Sequence, residues 1–460
     1  MAEGIYRPAP PNGPRAASFE PPEGVSLIGG YRGCNSEAPD SSGWSPVLSG
    51  DLNLDDGYDF ANTSENSYSV LRINRPCEVI GFVIRGGNGN GSPGLYDYGG
   101  GAHVWSAGAV LRDCDFAYNR ARLGGALTLR RSTVVERCTF RGNQAIEDGG
   151  AVAVFQQDAA ASVIRKSTFL DNRAAYGGAV HVFDAAPVFF ACDFQRNTAS
   201  YGGGVNVEYS ATPEFVRCFF GENVATFDGG AIYNNIGSTT VWSSLRNCLL
   251  TKNRARDGAA IHTFDSSRGG ADIDNCTIAY NVASREIGGV RIRYQVSMRN
   301  SIVYFNTDAG GQSAAAQVGP ATSGTIRYSC VQNRQGSGNG NIAVNPGFVS
   351  TGNQMLQPAS PCRDAGDPAT APLGDELDVY SQPRFRCGRI DIGASEFAPA
   401  MFDYDCDKNV GVADAARFLE CMAGPGASVP AADCRFADAD RDYDLDLLDF
   451  RKFIAAFGPG

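Results

Sequence analysis

Nowhere in these 460 residues is there a run of about 20 apolar residues, the length a bilayer-spanning helix requires, so no transmembrane segment is expected. Basic excess is also missing: 39 Lys and Arg face 50 Asp and Glu, a formal net charge of −11. Binding of phosphate backbones needs a basic face, so no nucleic-acid partner is expected, and cations are the natural small partners. Although the chain has 14 Cys, no C-x-x-C pair occurs, which argues against a cysteine metal site. No collagen-like triplet accounts for the 56 Gly, which exceed the usual share of about 7%, so they must serve turns. The amino-terminal text lacks the basic-then-apolar order of an export signal. Because "AEGIYRP" reads as the end of a strand with no coil before it, a start site placed too late, or a fragment, is expected. With 43% hydrophobic and 19% charged residues, the chain has the means to build a core and is not disordered.

What is present is a repeat. "CDFAYNRARLGGAL" from Cys114 returns as "CTFRGNQAIEDGGAV" from Cys138, "STFLDNRAAYGGAV" from Ser167 and "CDFQRNTASYGGGV" from Cys192. It continues as "CFFGENVATFDGGAI" from Cys218, "CLLTKNRARDGAAI" from Cys248 and "CTIAYNVASREIGGV" from Cys276, and ends with "SIVYFN" from Ser301. The recurring asparagines, Asn119, Asn143, Asn172, Asn197, Asn223, Asn253, Asn281 and Asn306, lie about 27 residues apart, a solenoid period. Each unit is too short to bury a face alone, and its apolar residues alternate, as in Val180 and Val182, so the units read as short strands joined by glycine turns. Stacking in parallel, about 4.8 Å apart, would put Phe116, Phe140, Phe169, Phe194 and Phe220 in one internal file. Cys114, Cys138, Cys192, Cys218, Cys248 and Cys276 would form another, as small buried hydrophobes. The asparagines would form a ladder at a turn, and the glycine pairs a corner with positive φ.

These motifs resemble the right-handed parallel β-helix repeats of bacterial surface proteins, notably the GGA(I/L) and FxxN repeats of polymorphic outer-membrane proteins. The resemblance covers roughly residues 80 to 310. Flanking text such as "LSGDL", "VIGFVIRGGNGNG", "SPCRDAGD" and "RIDIGASEF" resembles the opening and closing coils of a large family of bacterial β-helix surface proteins. The implied fold is a pectin-lyase-like right-handed β-helix over residues 1–310, with carboxyl-side coils and a cap over 311–398.

Residues 399–460 read differently. "DYDCDKNVGVAD" and "DADRDYDLDLLD" space acids at the loop positions that Ca²⁺ favours, and each runs into a segment of helical apolar spacing. The pair resembles a dockerin, a small α-helical EF-hand-like module with duplicated calcium loops. The resemblance implies two calcium ions. One would be held by Asp403, Asp405, Asp407, the Asn409 carbonyl and Asp414; the other by Asp438, Asp440, Asp442, the Asp444 carbonyl and Asp449, with Asp446 acting through water. Position 6 departs from the expected glycine, carrying Lys408 and Tyr443, and Gly411 at position 9 weakens the first loop. A cohesin-like protein is the implied partner, yet the recognition positions hold Val412, Ala413, Leu447 and Leu448. Cys421 and Cys434 flank the linker between repeats and would bridge in an oxidising compartment.

Two further sets are candidates. Asp228 and Asp257 precede corner glycines in adjacent coils, where paired carboxylates could do acid/base work or hold an ion. His181, Asn206, Tyr233 and His262 follow the corners and are expected to face outward as a polar aromatic row suited to sugar stacking. The ordered aspartates of a polygalacturonase-like site are absent. The expected function is a non-catalytic extracellular or cell-surface protein that contacts a polysaccharide or surface glycan. Alternatives are a polysaccharide lyase or glycoside hydrolase carrying a dockerin, and a structural spacer.

Overall fold

A computed structural model describes residues 1–30, 45–94, 96–155, 161–235, 241–264, 269–319, 323–334, 339–370, 376–384, 389–397, 402–403, 410–422 and 447–456. One coil shows the plan. Val180–Phe183 lies in a ten-stranded sheet, Val188–Phe190 in an eleven-stranded sheet and Asp193–Gln195 in a twelve-stranded sheet, while Thr198–Ala199 belongs to a small four-stranded one. The next coil begins at Val205–Glu208, and all pairing between coils is parallel. The chain is therefore an all-β parallel solenoid with three long sheets wrapped around one core.

Identical residues stack because each coil repeats the last. Phe116, Phe140, Phe169, Phe194 and Phe220 pair in register. Their successive ring centroids are 5.0, 5.0, 4.7 and 4.6 Å apart. The cysteine file is buried as expected, and it does one thing more. Several thiols and hydroxyls in it accept the backbone N–H of the coil before: Cys218 N–H to Cys248 Sγ at 3.4 Å, Cys248 N–H to Cys276 Sγ at 3.4 Å, Cys276 N–H to Ser301 Oγ at 3.0 Å. Ser167 fits the file for the same reason, accepting from Cys138 N–H at 3.1 Å.

The asparagine ladder runs from Asn119 to Asn306, each Oδ1 taking both the N–H and the Nδ2–H of the asparagine one coil earlier. Gln317 closes it, its Oε1 accepting from Asn306 N–H and Nδ2–H at 3.1 and 3.0 Å. Glycines do supply one corner: Gly177 has φ 65°, and a Cβ there would sit 2.0 Å from the Val180 carbonyl oxygen. The other two corners turn on single left-handed residues, most of them not glycine, with Gly142 before Asn143 an exception. Arg137, Ala191, Arg217 and Asn247 precede the cysteine file, and Asp171, Arg196, Glu222 and Lys252 precede the ladder, all with φ between 50° and 58°. Each such residue costs about 1–2 kcal/mol, and the ladder bonds beside it offset that cost.

After Cys330–Val331, the last strand of the twelve-stranded sheet, the chain makes an antiparallel pair, Phe348–Ser350 with Asn353–Leu356. It then returns along the solenoid. Asn300 Oδ1 accepts from Asp367 N–H at 2.7 Å, Asn247 donates to Glu376 at 2.8 Å and Arg217 donates to the Asp378 carbonyl at 2.9 Å. Arg384, fully buried, holds this segment closed by donating to the carbonyls of Gly393 and Asp391. Further on, helices α1 (Val412–Cys421) and α2 (Leu447–Ala456) pack Phe418 against Phe453, ring centroids 4.7 Å apart, with Phe402 edge-on to both. No helix among the described residues is long and apolar enough to cross a membrane.

Candidate functional site: the outer face of the ten-stranded sheet

Side chains alternate along each strand, so one residue in each ten-stranded-sheet strand points away from the core between two that point in. Register places these in a single row: Arg72, His103, Thr128, Ala153, His181, Asn206, Tyr233, His262 and Arg291. All 3 histidines of the chain stand in it. The four candidates His181, Asn206, Tyr233 and His262 are thus neighbours, as their spacing implied. Their expected solvent exposure is not found: His181 and Asn206 are 0% exposed, His262 1% and Tyr233 4%.

Burial comes from two flanking rows. On one side, residues just before the left-handed corner residue, which is glycine except for Ile287 after Glu286, form a ladder of their own, Asp148, Tyr176, Tyr201, Asp228, Asp257 and Glu286, in which each is hydrogen-bonded by the glycine one coil earlier. On the other side stand Phe155, Phe183 and Glu208, paired in register one position beyond the inward-facing Val154, Val182 and Val207. These flanks lean over the row: the Phe155 ring lies 5.9 Å from His181, and Tyr201 lies 5.2 Å from Tyr233. Beyond them Trp105, Tyr209 and Phe264 remain exposed.

Hydrogen bonding assigns the histidine tautomers. Asn206 Nδ2–H can only donate to His181 Nδ1, at 2.9 Å, which leaves the proton on Nε2, 3.8 Å from Glu208. Asp148 lies 3.7 Å from the same ring. Arg291 donates to His262 Nε2 at 2.6 Å, so the proton is on Nδ1, 3.7 Å from Asp228. Burial holds all three imidazoles neutral, pushing His181 down to about 4 and His103 and His262 to about 3. Burial, reinforced by Glu147, pushes Asp148 up to about 6, and burial also raises Glu208.

The candidate carboxylates Asp228 and Asp257 are adjacent, paired as a parallel bridge. They are not free for acid/base work, because Arg256 contacts both at 3.1 Å and Arg285 clamps Asp257. Burial raises Asp228, whereas at Asp257 the opposing hydrogen bonds of Arg285 and Arg256 win and hold it low.

Of the calcium candidates, Asp403, Asp414 and Asp449 lie in the described residues and all three are buried. Asp414 and Asp449 occupy the first turns of α1 and α2, and Asp414 accepts from Gly411 N–H at 2.7 Å. Asp405, Asp407, Asn409, Asp438, Asp440, Asp442 and Asp444 lie outside the described residues. Cys421 is disulfide-bonded, and its suggested partner Cys434 also lies outside. Elsewhere, Asp51, Asp55 and Glu65 bring carboxylate oxygens within 4.8 Å of one another. Burial, partly offset by Asn66, raises the neighbouring Asp56 to about 7.

Sequence reading missed His103, Trp105, Arg130, Asp148 and Glu208. The signal for His103 was there: "YGGGAHV" carries the glycine corner one coil before the aligned repeats begin. Buried polar atoms without a hydrogen-bond partner gather on this face, at His103 Nδ1 and Nε2, His181 Nε2, Asn206 Oδ1, His262 Nδ1, Arg291 Nε and Arg130 Nε. A separate hollow of about 330 Å³ between Asp193, Lys252, Gln354 and Tyr380 has only one such atom in its lining, Thr251 Oγ1.

The chain is a parallel β-helix protein. Residues 63–220 match the family model described as "Right handed beta helix region". No curated protein and no solved structure matches the chain.

Proposed function

We propose that this is a non-catalytic extracellular or cell-surface protein whose outer ten-stranded face contacts a glycan, attached to a partner through a carboxyl-terminal calcium-binding module. The observation that carries the reading is the concentration of buried polar atoms without partners along one straight row. Such atoms are costly in a folded protein and call for a polar ligand or ordered water. Exposed Trp105, Tyr209 and Phe264 on the same side offer flat apolar surfaces of the kind sugar rings stack on.

For the module, support comes from the acid spacing of the two loops and from Asp414 and Asp449 in the first turns of the helices that follow them, where calcium would neutralise part of the loops' acidic charge. Calcium, when bound, would supply that neutralisation and tie each loop to its helix. Val412, Leu447 and Leu448 are 80%, 71% and 53% exposed in the first turns of the two helices, an apolar surface that a cohesin-like partner would cover.

One observation favours a second reading, polysaccharide cleavage: His181 stands between Asp148 and Glu208, both raised by burial from their ordinary values. The deciding experiment is incubation of the purified chain with acidic and neutral polysaccharides in calcium, following new reducing ends and unsaturated uronate absorbance. Retention without product supports the proposed reading. Product overturns it in favour of an enzyme.

A further inference from the structure

We propose that the amino-terminal end of this face is an anion-recognising subsite, built by Arg72, His103, Arg130, Tyr98 and Trp105, that takes the carboxylate of an acidic polysaccharide. The inference rests on the glycan-face reading and names its ligand class.

The three histidines of the row differ in one respect. His181 and His262 each have a hydrogen-bonded ring nitrogen, whereas His103, 1% exposed, has none on either side. Its charged neighbours are Arg130 and Arg72, both of which oppose its protonation. It therefore presents a neutral N–H donor beside two permanent cations.

Those cations are unspent. Farther along the face Arg122, Arg256, Arg285 and Arg291 all pair with carboxylates. Among the described residues neither Arg72 nor Arg130 has a carboxylate partner, and Arg130 Nε has no hydrogen bond. Arg130 is nonetheless held in place by rings, its guanidinium carbon 4.4 Å from the Tyr98 centroid, 4.7 Å from Phe155 and 5.6 Å from Trp105. A planar fork fixed in this way suits a carboxylate, which accepts two parallel N–H bonds.

Trp105 decides between a bare anion and an acidic sugar. It is 41% exposed, and its ring lies 4.8 Å from His103, so an exposed apolar face borders these charged and polar groups. A uronic acid offers both a sugar ring and a carboxylate. The chain as a whole carries −11, so this local charge runs against the overall field, and binding must depend on close contact rather than long-range steering.

The test uses the full chain and three polymers: polygalacturonate, the same polymer with its carboxyl groups reduced, and polyglutamate. Calorimetric titration should show polygalacturonate binding at least about tenfold more tightly than either of the others, with a similar loss in Arg130→Gln and Trp105→Ala. Trp105→Ala removes an exposed ring, so an unchanged melting curve separates lost contact from lost fold. Equal binding of charged and reduced polymers, weakened by Trp105→Ala, would overturn the subsite while leaving the glycan face standing. Polyglutamate binding as well as polygalacturonate would overturn the choice of a sugar. Binding of no polymer would overturn both readings together.

Discussion

Asn197 Oδ1 accepts two hydrogen bonds from Asn172, its backbone N–H and its Nδ2–H, each at 3.0 Å. The asparagine of one coil thus satisfies the turn of the coil before it, and both are fully buried. Asn197 also donates to the Phe169 carbonyl at 3.0 Å and to Asn223 Oδ1 at 2.9 Å, so it works in both directions along the solenoid.

Replacing it by alanine leaves the Asn172 N–H buried without an acceptor. We expect Asn197→Ala to cost on the order of 3 kcal/mol, read as a shift in the denaturant midpoint. Gln317→Ala, at the ladder's end, should cost a similar amount, since Asn306 N–H and Nδ2–H lose their acceptor and the carbonyls of Asn306 and Ser313 lose a donor. Equal and negligible losses in both variants would show that the ladder is ornamental.

The cysteine file gives a sharper contrast. Cys248→Ser should cost less than about 1 kcal/mol, because an oxygen can accept the Cys218 N–H as Ser301 accepts that of Cys276. Cys248→Ala removes the acceptor and should cost more. The nine described free cysteines are all buried, so a thiol reagent should label none of them until denaturant is added. Rapid labelling of any of the nine in the native chain would contradict this packing.

The three histidines make a prediction about pH. Their folded pKa values, about 3 to 4, lie below the unfolded value of about 6.5. Their contribution to stability is therefore fully present above about pH 6.5 and is lost as pH falls toward 4 and then 3. Asp148 works the opposite way: raised to about 6, it favours the folded state at low pH and loses that contribution as pH rises through about 6. Histidine ring-proton NMR should show three resonances without a midpoint between about pH 5 and 8. A midpoint near 6.5 in any of them would place that ring in solvent.

For the carboxyl-terminal module, calcium should protect the full chain from proteolysis within residues 399–460, and Asp414→Ala combined with Asp449→Ala should remove most of that protection. No response to millimolar calcium would end the metal assignment.

Some of this was legible in the sequence because a solenoid converts repetition into contact. Phe169 and Phe194 hold the same place in consecutive units, so their stacking could be read directly, and the row from His181 to His262 follows from the same alignment. Its burial could not be read, since it depends on Asp148, Tyr201 and Phe155 leaning in from the flanks. The left-handed turns at Arg137 and Asp171 were hidden because neither residue is glycine. The return segment was hidden too: its contact between Arg217 and Asp378 joins residues far apart in the chain.

The central claim is that the outer ten-stranded face holds a glycan, and the exposed rings on that face test it most directly. Retention of the full chain on immobilised polysaccharides should be lost when Trp105, Tyr209 and Phe264 are together replaced by alanine, with the melting curve unchanged. Retention that survives the triple substitution would contradict the account.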